Sequence, residues 1–335
     1  MNDNQTKSFM NGIVHLMKKN DQSVFSPYTE KAIHLSKLLL KNYQKKKVSD
    51  YNQMFQKEEI VSLVDDYFFN VKPSYEKKLK KNYIEGSCFS LHYVGKRLAC
   101  LERNESYYLE GIDDIIIYGD KSIRSAFLFV HEFTHYLCGE SKSNLNEFSE
   151  ELFPQLSELE FQTFLLQNRS CNKKDIFNFG IERLNIIYSI AQRLIIYDTI
   201  YKHDKENMSE LQKICMEYGI SKKVFYDNIR DYMKHENYSF LLYEKYLVGY
   251  FYACLFHFDM EMEASHKQRY VEGIEYYKAH KRMKILQDYS YPKLCLNSYD
   301  YKKGEYGLFE EALNYQIKTL SRKGREYDKK RISND

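Results

Sequence analysis

The chain has 335 residues, 50 basic against 47 acidic, for a net charge of +3. That length allows one large domain or two modest ones, and so even a charge gives no reason to expect nucleic acid or an anionic membrane as partner. Only 13 glycines and 4 prolines accompany a hydrophobic content of 43%, which points to a helix-rich globular protein.

The opening "MNDNQTKSFMNGIVHLMKKND" lacks a basic-then-apolar signal pattern. No run approaches the roughly 18 apolar residues of a membrane span, so no membrane partner is expected. Seven cysteines, odd in number, scattered and never in a C-x-x-C, read as reduced thiols of a cytoplasmic protein. Most of the 32 tyrosines are expected in half-buried packing positions with a wet hydroxyl.

In chain order, Ala32, Leu35 and Leu39 set a helical spacing over Ser26–Lys47. Ile60, Leu63, Val64, Tyr67 and Phe68 do the same for a helix from about Ser49 to Phe69. Pro73 resets the chain, and a short helix follows towards Gly86, its lysine runs read as solvated faces. From Ser87 to Gly119 the short segments "CFSLHYV", "RLACLE", "SYYLEG" and "DIIIYG" are β-branched or aromatic and separated by turn residues. They predict a small, mainly antiparallel sheet.

"KSIRSAFLFVHEFTHYLCGE" is then a strong helix with Ile123, Phe127, Val130, Thr134 and Leu137 as its apolar stripe and Gly139 as a C-cap. After a loop, Pro154 is placed in the first turn of the next helix. From Lys173 on, helices are predicted over 175–203, 207–217, 222–234, 238–259, 261–287 and 306–322, with a frayed C-terminal dozen. The expectation is a single helix-rich domain over 1–335. Its parts are N-terminal helices (1–86), a sheet plus metal-site helices (87–170) and a C-terminal helical part (171–335).

The chemistry concentrates in "HEFTH". A helix puts positions i and i+4 on one face, so His131 and His135 can address one ion while Glu132 projects beside it. Two imidazoles and a carboxylate are a ligand set for hydrolytic zinc, which lowers the pKa of a water to about 7. Glu132 would take that water's proton and return it to the leaving amine. A third ligand is needed, and Glu140, Glu147, Glu150, Glu151, Glu158 and Glu160 are all within reach along the chain. Glu151 and Glu158 share a face if their helix begins before Pro154. Glu160 lies on an apolar stripe between Leu156 and Phe164 and therefore needs a partner such as a cation. Cys138, three after His135, reads as a small buried hydrophobe rather than a ligand.

Several segments resemble, in order, the thimet oligopeptidase and oligoendopeptidase F family of zinc metallopeptidases. "SCFSLHYVGKRLACLE" resembles its sheet, "DDIIIYGDKSIRSAFLFVHEFTHYL" its edge strand, turn and motif helix, and "EELFPQLSELEF" its glutamate helix. "HENYSFLLYEKYLVGYFYACLF" resembles its His-then-tyrosine segment. The likeness covers about 87–170 and, more weakly, 235–256.

The resemblance implies a mainly α, zincin-like fold: a helical shell around a cleft, with the sheet preceding the motif helix. It implies one Zn²⁺ per chain, held by His131, His135 and Glu151 in first rank, with Glu150 and Glu160 as alternative third ligands, Glu158 in support and Glu132 as general base. It implies Tyr246 or Tyr243 as oxyanion donor, His235 as a hydrogen-bonding partner of substrate, and short peptides as substrates drawn along the strand "DIIIYG". The chain departs from the family at Thr134 (usually Gly), Cys138 (usually His) and Pro154 (usually Ser), and it is short. Competing readings are a catalytically impaired scaffold that binds a peptide or partner, and a narrow-specificity regulatory zinc protease.

Overall fold

A computed structural model describes residues 29–81, 89–93, 107–109, 114–139, 149–167, 171–203, 208–234, 240–264 and 306–332. The described chain is mainly helical. Its elements in order are α1 (Thr29–Asn42), α2 (Lys57–Val71), α3 (Pro73–Leu79), β1 (Phe89–Tyr93), β2 (Tyr107–Leu109) and β3 (Asp114–Gly119). There follow α4 (Arg124–Gly139), α5 (Ser149–Gln167), α6 (Lys173–Lys202), α7 (Met208–Glu217), α8 (Lys222–Lys234), α9 (Phe240–Ala264) and α10 (Tyr306–Ile332). The expected strand "RLACLE" and most of the expected helix 261–287 lie outside the described residues. No described helix is long and apolar enough to cross a membrane.

The described residues fall into two compact units. One holds those up to Lys46 and Arg183–Phe251, and the other holds Lys47–Glu182 and those from Tyr252 onward.

In the first unit α1 buries Ala32, Leu35 and Leu39, the stripe its spacing predicts. Tyr43, just past α1, donates its hydroxyl to Asn185 on α6 at 2.8 Å, and Asn185 donates back to the Lys46 carbonyl at 2.8 Å. The α7–α8 turn uses Gly219 at φ +74°. Gly219 N–H bonds the Met216 carbonyl and Ile220 N–H the Cys215 carbonyl, a Schellman closure with buried Cys215 and Ile220 at its base.

The second unit contains the sheet, in the order β1-β3-β2. It is mixed, where the sequence reads as mainly antiparallel. β3 pairs antiparallel with β2 from Asp114 to Ile116 and parallel with β1 from Ile115 to Gly119. The reason is the span between β1 and β3, which is long enough for the crossover that parallel pairing requires. β3 is consequently the middle strand and not an edge. His92 and Tyr118, paired across β1 and β3, stack with ring centroids 5.2 Å apart.

Three helix boundaries differ from expectation, the first of them through competition from tertiary contacts. Residues 49–56 form no helix. Their polar groups are taken by one face of α6: Asn52 and Gln53 amides donate to the Asp175 carboxylate at 2.9 and 2.7 Å. Ser49 meets Asn178 at 3.0 Å, and the Tyr51 hydroxyl donates to Glu182 at 2.7 Å. Helix α2 starts only at Lys57, where Gln56 N–H donates to the Glu59 carboxylate at 2.6 Å. Helix α5 begins at Ser149, so Pro154 sits inside it and not in its first turn. At the C-terminus α10 continues to Ile332, past the expected end at 322.

Candidate metal centre

Helix α4 carries the motif and is buried on nearly all sides. Ile123, Phe127, Val130, Thr134 and Leu137 are covered as the stripe predicts, and so are Phe129, Phe133 and Tyr136. Aromatic contacts clamp it from three neighbours. Phe133 meets Phe68 of α2 edge-on at 5.0 Å, Phe127 meets Phe161 of α5 at 5.0 Å, and Phe127 stacks on Phe179 of α6 at 3.8 Å. A helix held this way presents its polar side chains at fixed angles. Thr134 is fully buried, yet its hydroxyl is satisfied by the Val130 carbonyl at 2.7 Å. The departure from glycine at this position therefore leaves no orphaned polar atom.

On the remaining face of α4 the two histidines converge. Their Nε2 atoms lie 3.1 Å apart, with the ring planes at 72°. Glu151 of α5 joins them, its Oε2 standing 3.7 Å from His131 Nε2 and its Oε1 3.8 Å from His135 Nε2. His131, His135 and Glu151 thus form a group that could hold a metal ion, each offering one ligand atom within 4.8 Å of the others.

Two imidazoles and a carboxylate are a donor set that suits a divalent metal ion. Bonds of about 2.0–2.1 Å in a tetrahedral site place ligand atoms about 3.3–3.4 Å apart; the two Nε2 atoms stand 3.1 Å apart, and Glu151 brings Oε2 to 3.7 Å of one and Oε1 to 3.8 Å of the other. The side chain of His135 is 22% exposed, against 7% for His131 and 5% for Glu151, so the cluster opens to solvent on the His135 side. Glu132, next to His131 in sequence, is buried.

Glu158 supplies the support the seven-residue spacing suggests. Because α5 starts before Pro154, Glu151 and Glu158 share a face, and Glu158 Oε1 stands 2.8 Å from His131 Nδ1. The approach is short without meeting hydrogen-bond geometry at Nδ1, and its negative charge favours a proton on that nitrogen, which leaves the Nε2 lone pair to the cluster. Burial pushes the His131 imidazole towards lower pKa, but Glu158, Glu132 and Glu151 together outweigh it, and the net direction is up.

Glu160 does find a cation, and it is an ammonium. Lys72, between α2 and α3, is 1% exposed and places Nζ 2.7 Å from Glu160 Oε2. The Tyr67 hydroxyl donates to the same oxygen at 3.2 Å. Lys72 was not legible as a partner from its own surroundings; the signal was the carboxylate on an apolar stripe.

The remaining candidates divide. The side chains of Glu150 and Cys138, and all of Glu140, Glu147 and His235, lie outside the described residues. Tyr243 and Tyr246 are on the part of α9 that belongs to the other unit. Within that unit Arg193 donates to the Tyr243 hydroxyl and lies 4.9 Å from its ring centroid, while donating to Asn228 at 2.8 Å. Tyr246 is half-buried.

No protein-family model matches the chain, and no curated protein matches its sequence. Two solved structures share its fold. A Chlamydophila abortus protein described as a peptidase aligns with a TM-score of 0.54 at 13% identity, over 96% of this chain and 55% of its own. A second, described as an oligoendopeptidase F, aligns with a TM-score of 0.51 at 11% identity, over 95% of this chain and 58% of its own. The chain spans little more than half the length of either, and at these identities the likeness is one of fold.

Proposed function

We propose that the chain is a zinc-dependent peptidase acting on short peptides, with residues 1–335 serving as one peptidase domain. The fold shared with proteins described as peptidases supports the reaction class. The observation that carries the reading is the meeting of His131, His135 and a Glu151 carboxylate beside a buried Glu132. His131, His135 and Glu151 would hold one Zn²⁺. When bound there, the ion supplies Lewis acidity that acidifies a water and polarises a carbonyl.

The chain's own residues do the rest. Glu132 accepts the proton of the attacking water and passes it to the departing amine nitrogen. Glu158 keeps the His131 proton on Nδ1 throughout. Tyr243 or Tyr246 donates a hydrogen bond to the tetrahedral oxyanion, and His235 one to the substrate. Arg193, donating to the Tyr243 oxygen, polarises that O–H as a donor.

The test is zinc content together with cleavage of a quenched peptide library. Glu132→Gln is expected to retain zinc and lose about 10²–10⁴-fold in kcat. Wild-type protein that carries stoichiometric zinc and cleaves nothing would make the chain a binding scaffold instead. Replacement of each tyrosine by Phe, with zinc retained, identifies the oxyanion donor by a loss of about 10²–10³-fold in kcat.

A further inference from the structure

We infer that Lys72 is a positioning residue for the metal centre, setting the rotation of α5 through its buried pair with Glu160. The inference rests on the metal-centre reading above.

Helix α5 delivers both carboxylates that address His131: Glu151 approaches Nε2 and Glu158 faces Nδ1. Their angular setting matters, because a turn of α5 about its axis moves both away from the ring together. The backbone of α5 is weakest where setting is needed. Pro154 lies between the two glutamates and has no amide, so the Glu150 carbonyl in the turn that carries Glu151 loses its helical donor.

Lys72 grips α5 from the other side. Its Nζ is 2.7 Å from Glu160 Oε2 and 3.5 Å from Ser157 Oγ. At about 100° per residue, Glu160 projects about 160° around the helix from Glu158. The helix is therefore held by a charged contact on each of two nearly opposite faces. Lys72 is itself anchored, with its amide on the Phe68 carbonyl and its carbonyl accepting from Tyr75 N–H, both at 2.9 Å. Tyr67, fully buried on α2, donates to the same Glu160 oxygen at 3.2 Å.

A buried ion pair is a poor source of stability compared with apolar packing, and its best-attested use is to fix register. This one also occupies the one α5 carboxylate among Glu151, Glu158 and Glu160 that does not face the histidines. Without the ammonium, Glu160, only 10% exposed, would carry an uncompensated charge against an apolar face, and α5 would relieve it by turning that face outward.

The experiment compares Lys72→Met, Lys72→Arg and Glu160→Gln with wild type in the full chain. The readouts are zinc affinity by chelator competition, the visible spectrum of the cobalt(II)-loaded protein, and the urea midpoint. Lys72→Met is expected to weaken zinc binding by about tenfold or more and to alter the cobalt spectrum, as loss of an outer support does. Lys72→Arg should recover most of both, and Glu160→Gln should shift both in the same direction as Lys72→Met. Folded Lys72→Met with wild-type zinc affinity and cobalt spectrum would overturn the inference, whatever its urea midpoint. Should Lys72→Met not fold, Glu160→Gln, which keeps volume and an acceptor, carries the same two outcomes. A wild type that binds neither ion would bring down the metal-centre reading, and this inference with it.

Discussion

Glu158 stands 2.8 Å from Nδ1 of His131, a negative charge placed to favour a proton on that nitrogen while Nε2 faces Glu151 and His135. Glu158→Gln keeps the size of the side chain but removes the charge that holds the proton on Nδ1. Metal affinity should fall by about 10–100-fold, with the fold intact. Competition with a chromogenic chelator measures it, and an unchanged affinity would show that the contact plays no part in ligation.

Thr134 fills a fully buried position and returns its hydroxyl to the Val130 carbonyl. Thr134→Gly installs the residue usual in the resembled family, yet here it opens a void and loosens the helix interior. The expected loss is about 1–2 kcal/mol, from a few tenths of a kcal/mol of helix propensity plus the lost burial. A urea titration would show it as a lower midpoint at unchanged slope.

Asp175 takes the amides of Asn52 and Gln53 with one carboxylate. Asp175→Ala leaves both donors without that acceptor, at an expected cost of about 2–4 kcal/mol. Hydrogen exchange should accelerate at those two amides before it does so in α6. Equal protection in the variant would mean the strap is held by other contacts.

Tyr43 is buried against α6, and burial is the main reason its phenol is pushed up to about 12. A raised folded-state pKa means that the neutral phenol is the form the fold favours. Its contribution is therefore complete below the unfolded value near 10 and is lost as pH rises from there towards 12. Stability should decline over that alkaline window. Tyr43→Phe should lose about 1 kcal/mol at neutral pH, from the bond to Asn185, and show a shallower alkaline decline. Denaturant midpoints from pH 9 to pH 12 compare the two slopes; parallel slopes would count against this group.

Readings that depend on spacing within one helix transferred directly. His131 and His135 meet because i and i+4 share a face whatever surrounds them, and Glu151 and Glu158 do so once α5 begins before Pro154. The stripe from Ile123 to Leu137 is buried for the same reason, and "DIIIYG" is a strand over Asp114–Gly119 as its composition indicates. Periodicity is a property of a short segment, so a single sequence carries it in full.

What the local pattern could not carry is the identity of partners distant in sequence. The helical spacing of 49–56 lost to Asp175, Asn178 and Glu182, which capture those residues from more than a hundred positions away. The place of β3 between β1 and β2 depends on how a crossover closes, and short strands look alike at a centre or an edge. The choice of Glu151 over Glu160 for the histidine cluster was likewise made by what each carboxylate meets: two imidazoles in one case, the Lys72 ammonium in the other. A carboxylate largely shut off from water needs a cationic or ligating partner, and only the packing of α2 and α4 against α5 assigned one to each glutamate.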